Sequence, residues 1–300
     1  MGTTADKLQR LVEGKQAIID AVNSKANTSL TINSKLSDVA SAISSISGSG
    51  GSSENLLQKK IDNSGAYGLF AYWTENNLDE YINSLNFSNA TSTSHMFYGC
   101  SFLTSIPQFN TSNVIGMYFM FGNCSALITI PQLNTSGVLD TCSMFSGCSK
   151  LTTIPELDTS KVKDISSMFL NCSKLVDIPQ LNTREATRVS NMFYKCSLLE
   201  TIDITYYNIS STSYSSNFVR DCSALKSLVI REFGANYVLN SNAFTNSGIA
   251  NGTGYIYVPR AMVSTLQSAT NWSTYASQIR ALEDYTVDGT TTGALDESKI

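Results

Sequence analysis

The stretch Ser143-Met-Phe-Ser-Gly-Cys-Ser-Lys-Leu-Thr-Thr-Ile-Pro-Glu-Leu-Asp-Thr-Ser160 occurs, with small changes, five times in the chain. It appears as HMFYGCSFLTSIPQFNTS from His95, FMFGNCSALITIPQLNTS from Phe119, SMFLNCSKLVDIPQLNTR from Ser167 and, shortened, NMFYKCSLLETID from Asn191. Each copy starts 24 residues after the last, and every column keeps that step. The columns are Phe97, Phe121, Phe145, Phe169 and Phe193; Cys100, Cys124, Cys148, Cys172 and Cys196; and Leu103, Leu127, Leu151, Leu175 and Leu199. Ile106, Ile130, Ile154, Ile178 and Ile202 follow, then Pro107, Pro131, Pro155 and Pro179.

A fixed period with fixed apolar columns means a coil whose turns bury their apolar faces only by stacking on one another. The expected fold is a solenoid of 24-residue repeats, a parallel β ladder with short helical or irregular turns, preceded by a small α-helical module. The Leu-x-x-Ile-Pro-x-Leu segment is the expected strand, paired with its equivalents about 4.8 Å above and below and ended by its proline. Met-Phe-x-x-Cys forms the opposite side. The column Asn110, Asn134, Asp158, Asn182 and the threonine after each are expected to bond the turning backbone to its neighbour. The cysteines read as core, because Cys is small and commonly buried. A disulfide between adjacent turns is geometrically open, but seven cysteines and no recognisable export signal argue against one. The spacing lacks the C-x-x-C and His partners of a metal site.

Worn copies flank the clear ones. Ile82, Leu85 and Asn86 align with the repeat on one side; Phe218, Cys222, Leu225 and Leu228, after an insertion, and Phe244 with Ser247 in the cysteine column, align on the other. Val263, Leu266, Ala269, Trp272, Ile279 and Leu282 follow at mostly helical spacing and predict a cap. Near the start, Leu8, Leu11, Ile18 and Val22 share a helical face. The expected division is a helical anchor and oligomerisation module (1–47), a Gly/Ser linker (48–53), a transition and cap (54–80), the repeat (81–259), and a closing cap with a polar tail (260–300). Tyr67, Phe70, Tyr72 and Trp73 are expected against the first coil.

Lys and Arg number 20 against 24 Asp and Glu, for a net charge of −4. The charges are scattered, so no basic stripe for nucleic acid exists. No run approaches the roughly 18 apolar residues of a membrane span, and charges from Asp6 to Asp20 break up any export-signal core. No cofactor motif occurs. His95, the one histidine, sits in a column continued by Phe119, Ser143, Ser167 and Asn191, which reads as tolerant of any residue, and no serine elbow or phosphate loop accompanies it. An enzyme is therefore not expected. A glycosidase carboxylate pair stays open as the weakest reading, with Asp140, Asp158, Asp164 and Asp177 as its acids. Columns that vary over a constant core are where a repeat binds. Tyr98, Phe102, Tyr118 and Phe119 are the aromatic candidates for receptor contact, suited to sugars or protein hot spots; the same columns also fit unconstrained solvent positions.

The motif MFxxCSxLTxIPxLNTS resembles the BspA-like class of leucine-rich repeats, found in bacterial surface proteins and in phage and prophage proteins. The leader TTADKLQRLVEGKQAIIDAVNSK resembles leaders of virion appendage proteins of gut phages, crAss-like phages included. Together the resemblances imply a structural virion protein made in the host cytoplasm: a fibre-like head or tail appendage, homotrimeric, attached through its N-terminus to capsid or tail proteins. They imply a displayed repeat that meets a host-surface glycan or protein. The alternative is a bacterial cell-surface adhesin built on the same repeat.

Overall fold

The protein's structure, a computed structural model, describes residues 61, 66–71 and 78–300. The anchor residues Leu8, Leu11, Ile18 and Val22, the linker, Tyr72 and Trp73 lie outside the described residues. Among those described, helix is scarce: α1 (Leu78–Ser84) and α2 (Arg260–Ser268) are the named α-helices. The named strands are β1 (Thr201–Ile209), β2 (Ser227–Tyr237), β3 (Tyr255–Val258) and β4 (Ile279–Ala281), which form one parallel sheet in the order β1-β2-β3-β4.

Upstream of β1 the chain is a repeat of a different texture. From Thr93 to Tyr194 successive copies lie on one another through backbone bonds that recur with the sequence period. The Phe97 N–H donates to the Met120 carbonyl, Phe121 to Met144, Phe145 to Met168 and Phe169 to Met192, each at 2.9 Å. Within each copy the alternate N–H groups close four-residue turns, as Met96 to Thr93, Tyr98 to His95 and Cys100 to Phe97. The Met-Phe-x-x-Cys side is thus a run of turns whose N–H groups point by turns inward along the chain and onward to the next copy. Every backbone donor is used, which a buried segment requires.

That geometry corrects the reading of the His95 column as tolerant of any residue. His95, Phe119, Ser143, Ser167, Asn191 and Asn217 all have left-handed φ, between 51° and 58°. The position is not tolerant of any conformation; it is a left-handed corner that some copies fill with unfavourable side chains, at about 1–2 kcal/mol each. A second left-handed corner precedes each cysteine, at Gly99, Asn123, Gly147, Asn171, Lys195 and Asp221, and here Gly and Asn, the residues suited to it, predominate.

The expected strand at Leu-x-x-Ile-Pro-x-Leu is not formed in the four proline-bearing copies. A single backbone bond per copy crosses there, from Ile128 N–H to Thr104, Thr152 to Ile128 and Val176 to Thr152. The parallel bridges between these copies lie elsewhere, at Ser92, Gly116, Asp140, Asp164 and Arg188, and only the last of these copies bridges from this segment, Leu181 to Ile204 of β1. Proline has no N–H to give a ladder. Where Asp203 replaces it the strand β1 begins, with Ile202 opposite Leu228 and Asp203 opposite Val229. In β3 and β4 the same position is Tyr257 and Arg280, again paired.

One core runs through both textures. The phenylalanine rings stack in near-parallel planes: Phe97 on Phe121 at 5.4 Å and 6°, Phe121 on Phe145 at 5.5 Å and 2°, Phe145 on Phe169 at 5.7 Å and 8°, Phe169 on Phe193 at 5.5 Å and 7°. Phe70 adds one ring below, 5.8 Å from Phe97, so the stack reaches into the segment read as transition. At Phe218 the plane tilts by 59°, after the insertion. Val114, Val138 and Val162 add a buried column that the motif did not single out, and Leu103 is less buried than the later leucines of its column.

The closing segment departs from the single helical pattern its spacing suggested. α2 stops at Ser268, a 3-10 turn covers Ser273–Gln278, and Ile279 joins the parallel sheet as part of β4. Trp272 closes the core, 5.6 Å from Tyr207 and 5.9 Å from Phe244, its indole N–H donating to the Tyr237 carbonyl at 2.7 Å.

Candidate functional site

The cysteine column is a ladder of hydrogen bonds. Each thiol donates to the carbonyl of the phenylalanine one copy earlier: Cys124 to Phe97 at 2.9 Å, Cys148 to Phe121 at 3.1 Å, Cys172 to Phe145 at 3.2 Å and Cys196 to Phe169 at 3.1 Å. Cys100 does the same to Phe70, and Cys222 to Phe193. That carbonyl also accepts the N–H of its own copy's cysteine, so both lone pairs are filled. All seven cysteines are free thiols. Burial pushes the Cys148 thiol from 9.0 to about 12 and the Cys222 thiol likewise, so no reactive thiolate forms in the core near neutral pH. Cys142, off the ladder, is half-exposed. The column is structural. Ser247, at its end, turns back to the carbonyl of Phe244 in its own copy.

Three of the four aromatic candidates come together. Tyr98, Tyr118 and Phe119 surround His95, with ring centroids 5.4, 5.1 and 5.5 Å from the imidazole, and Tyr67 closes the group at 5.2 Å. His95 is buried inside it, 6 % exposed. Gly122 makes the cluster possible: a Cβ there would lie 2.4 Å from the Phe119 ring and 2.9 Å from that of Tyr98. The rings are half-buried and pack edge-on against one another, Tyr118 to Phe119 at 4.7 Å and 82°, so much of their surface is spent on mutual contact. Phe102 stands outside this group and is 68 % exposed.

The acids considered for hydrolysis have separate employments. Asp140 and Asp164 are bridge partners on adjacent copies; each accepts the N–H two residues on, and Asp164 pairs with Arg188 at 3.2 Å. Asp158 caps the Ser160 N–H, and the Ser160 hydroxyl and N–H hold its carboxyl below the usual range. Asp177 is exposed on another part of the copy. Among the described residues no three His, Cys, Asp or Glu side chains gather as a metal-binding group, and no helix is long and apolar enough to cross a membrane.

A polar groove was not foreseen. The asparagine column bonds within its own copy, Asn110 to Ser112 and Asn134 to Ser136. The threonine after it bonds onward, Thr111 to the Asn134 carbonyl, Thr159 to Asn182 and Thr183 to Tyr206. The glutamine two residues earlier also bonds onward, Gln108 to the Gln132 carbonyl and Gln132 to that of Glu156, both at 2.7 Å. Over these files lies a cavity of about 540 Å³. Its signal in the sequence is the polar Gln/Glu column itself, which reads as solvent-facing until the stack brings it beside the threonines.

The model of a family described as "Mycoplasma protein of unknown function, DUF285" matches residues 67–175 and 128–233. The two matches together cover more than half of the chain. The chain belongs to the DUF285 family. No curated protein matches it. The DUF285 match runs over all the clear copies and ends within β2, in the strand-bearing part, so the family signature is carried mainly by the proline-bearing turns.

Proposed function

We propose that the chain is a structural virion protein of a bacteriophage, a fibre-like head or tail appendage that displays a leucine-rich solenoid of the BspA-like class for attachment to a host surface. Residues 1–47 anchor it to capsid or tail proteins and assemble it as a homotrimer. The observation that supports this reading best is the unbroken internal stack. Its bonds come mainly from backbone and from buried Phe, Cys and Leu columns, which leaves exposed columns outside the core. These differ from copy to copy, as the exposed Ile115, Leu139, Lys163 and Thr187 do. A rigid rod with a variable surface is a display scaffold.

Mass spectrometry of purified particles tests the reading, and particles lacking this protein overturn it. Light scattering of the full chain tests the trimer; a monomer both free and in the particle removes that part. One observation favours a second reading, a bacterial cell-surface adhesin: the matching family is described from Mycoplasma, a bacterium. Surface labelling of cells carrying the gene, set against the particle measurement, separates the two.

A further inference from the structure

The chain closes on a segment that belongs to neither texture. Residues 285–296 fold back on themselves. Thr286 bridges Leu295 antiparallel, the Val287 N–H donates to the Ala294 carbonyl at 3.0 Å, and the Asp296 N–H donates to that of Tyr285 at 2.7 Å. Every other bridge and strand pair among the described residues is parallel. At the tip Asp288 accepts the N–H and the hydroxyl of Thr290. Gly293 leaves room for that carboxylate, since a Cβ there would lie 1.9 Å from it. The hairpin lies on the outer side of the sheet without extending it. Two attachments hold it there. Tyr285 and Leu295 pack on Val229, Tyr257 and Leu282, which form a small second core to which the Phe, Cys and Leu columns of the stack contribute nothing. Arg231 of β2 supplies the hydrogen bonds across the junction. Its Nη1 donates to the carbonyls of Thr291 at 2.8 Å and Gly293 at 3.0 Å, while Nε and Nη2 donate to the Asp203 carboxylate of β1.

We propose that residues 285–296 are a releasable strap, fastened by Arg231, which leaves the sheet as a unit and uncovers Val229, Tyr257 and Leu282 while the Phe stack stays closed. Both attachments are local. A segment held by few contacts opens well below the free energy of global unfolding, and a two-stranded hairpin without its support is marginal in water, so the strap loses its own bonds once it lifts. Opening costs the stack nothing, because the stack's ladders run on the other side of the sheet through the Phe, Cys and Leu columns. The inference goes beyond the attachment reading and holds whatever the chain attaches to.

The test is amide hydrogen exchange on the full chain. The amides of Val287 and Asp296 report the strap, and those of Phe121 and Phe145, bonded to the next copy, report the stack. The strap amides should exchange at least about a hundredfold faster than the stack amides. Asp203→Asn together with Arg231→Gln removes both charges at once and so leaves no buried charge unpaired. This double change should speed strap exchange about tenfold or more, leave the stack amides as they were and raise the binding of anilinonaphthalene sulfonate, a dye for exposed apolar surface. Leu295→Ala, which keeps the ion pair, should act in the same direction. Equal exchange of strap and stack in the unaltered chain, strap protection or dye binding untouched by both changes, or loss of stack protection in either variant overturns the proposal.

Discussion

The proline-bearing copies and the strand-bearing copies solve one problem in two ways. Both stack a Phe ring, a thiol and a leucine onto the copy before, as far as Phe218, Cys222 and Leu225. In the first, Pro107, Pro131, Pro155 and Pro179 leave the leucine side with one crossing bond from each copy to the next, until Leu181 meets β1, and the load shifts to the turn ladder around Met-Phe. In the second, Asp203, Val229, Tyr257 and Arg280 supply the missing N–H, and β1 to β4 zip into a sheet. The core columns continue across the change, although the rings tilt. Stacking of the buried columns therefore fixes the architecture, and the residue after the isoleucine decides only whether the flank becomes a strand.

The largest expected effect breaks what the two regions share. Phe145→Ala removes a ring sandwiched between Phe121 and Phe169 and leaves a void in a stack that cannot close, at a cost of about 3–5 kcal/mol by denaturant unfolding; a loss below 1 kcal/mol refutes the common core. Next, Val229→Pro carries the proline of the first region into the second. It removes a ladder N–H in the middle of the sheet and should cost about 3 kcal/mol or more, whereas Pro155→Val should change stability by less than about 1 kcal/mol.

The thiol ladder sharpens the comparison further. Cys172→Ala deletes the bond to the Phe145 carbonyl and a buried sulfur, for about 1–2 kcal/mol, while Ser247→Cys, at the end where the ladder has already turned back, should be within about 0.5 kcal/mol of neutral. The same column gives a pH dependence. The thiols are raised in the folded chain, to about 12 at Cys148 and Cys222 from 9.0, so above pH 9 the unfolded chain binds fewer protons than the folded one. Stability is then fully present below pH 9 and falls between pH 9 and 12. Melting curves across that range should drop, and less steeply in Cys148→Ala. The smallest effect is at the left-handed corner. Ser167→Gly, at φ 58°, should raise stability by less than about 1 kcal/mol.

The candidate site was legible only in part. Tyr98, Tyr118 and Phe119 were visible as variable aromatics, but their packing around His95 depends on Gly122 lying beneath two rings from different copies. The groove was less visible still. Gln108 and Gln132 look like ordinary surface residues until the stack shows their amides tied to the next copy's backbone.

The sequence by itself determined the period, the membership of the Phe, Cys and Leu columns and their burial, because a strict repeat leaves buried faces no partner except their own copies. The tertiary structure alone decided where the ladders run, which corners are left-handed and which polar groups meet across copies. Those outcomes depend on which backbone donors remain after each copy has closed its own turns, and that is settled only once one copy lies against the next.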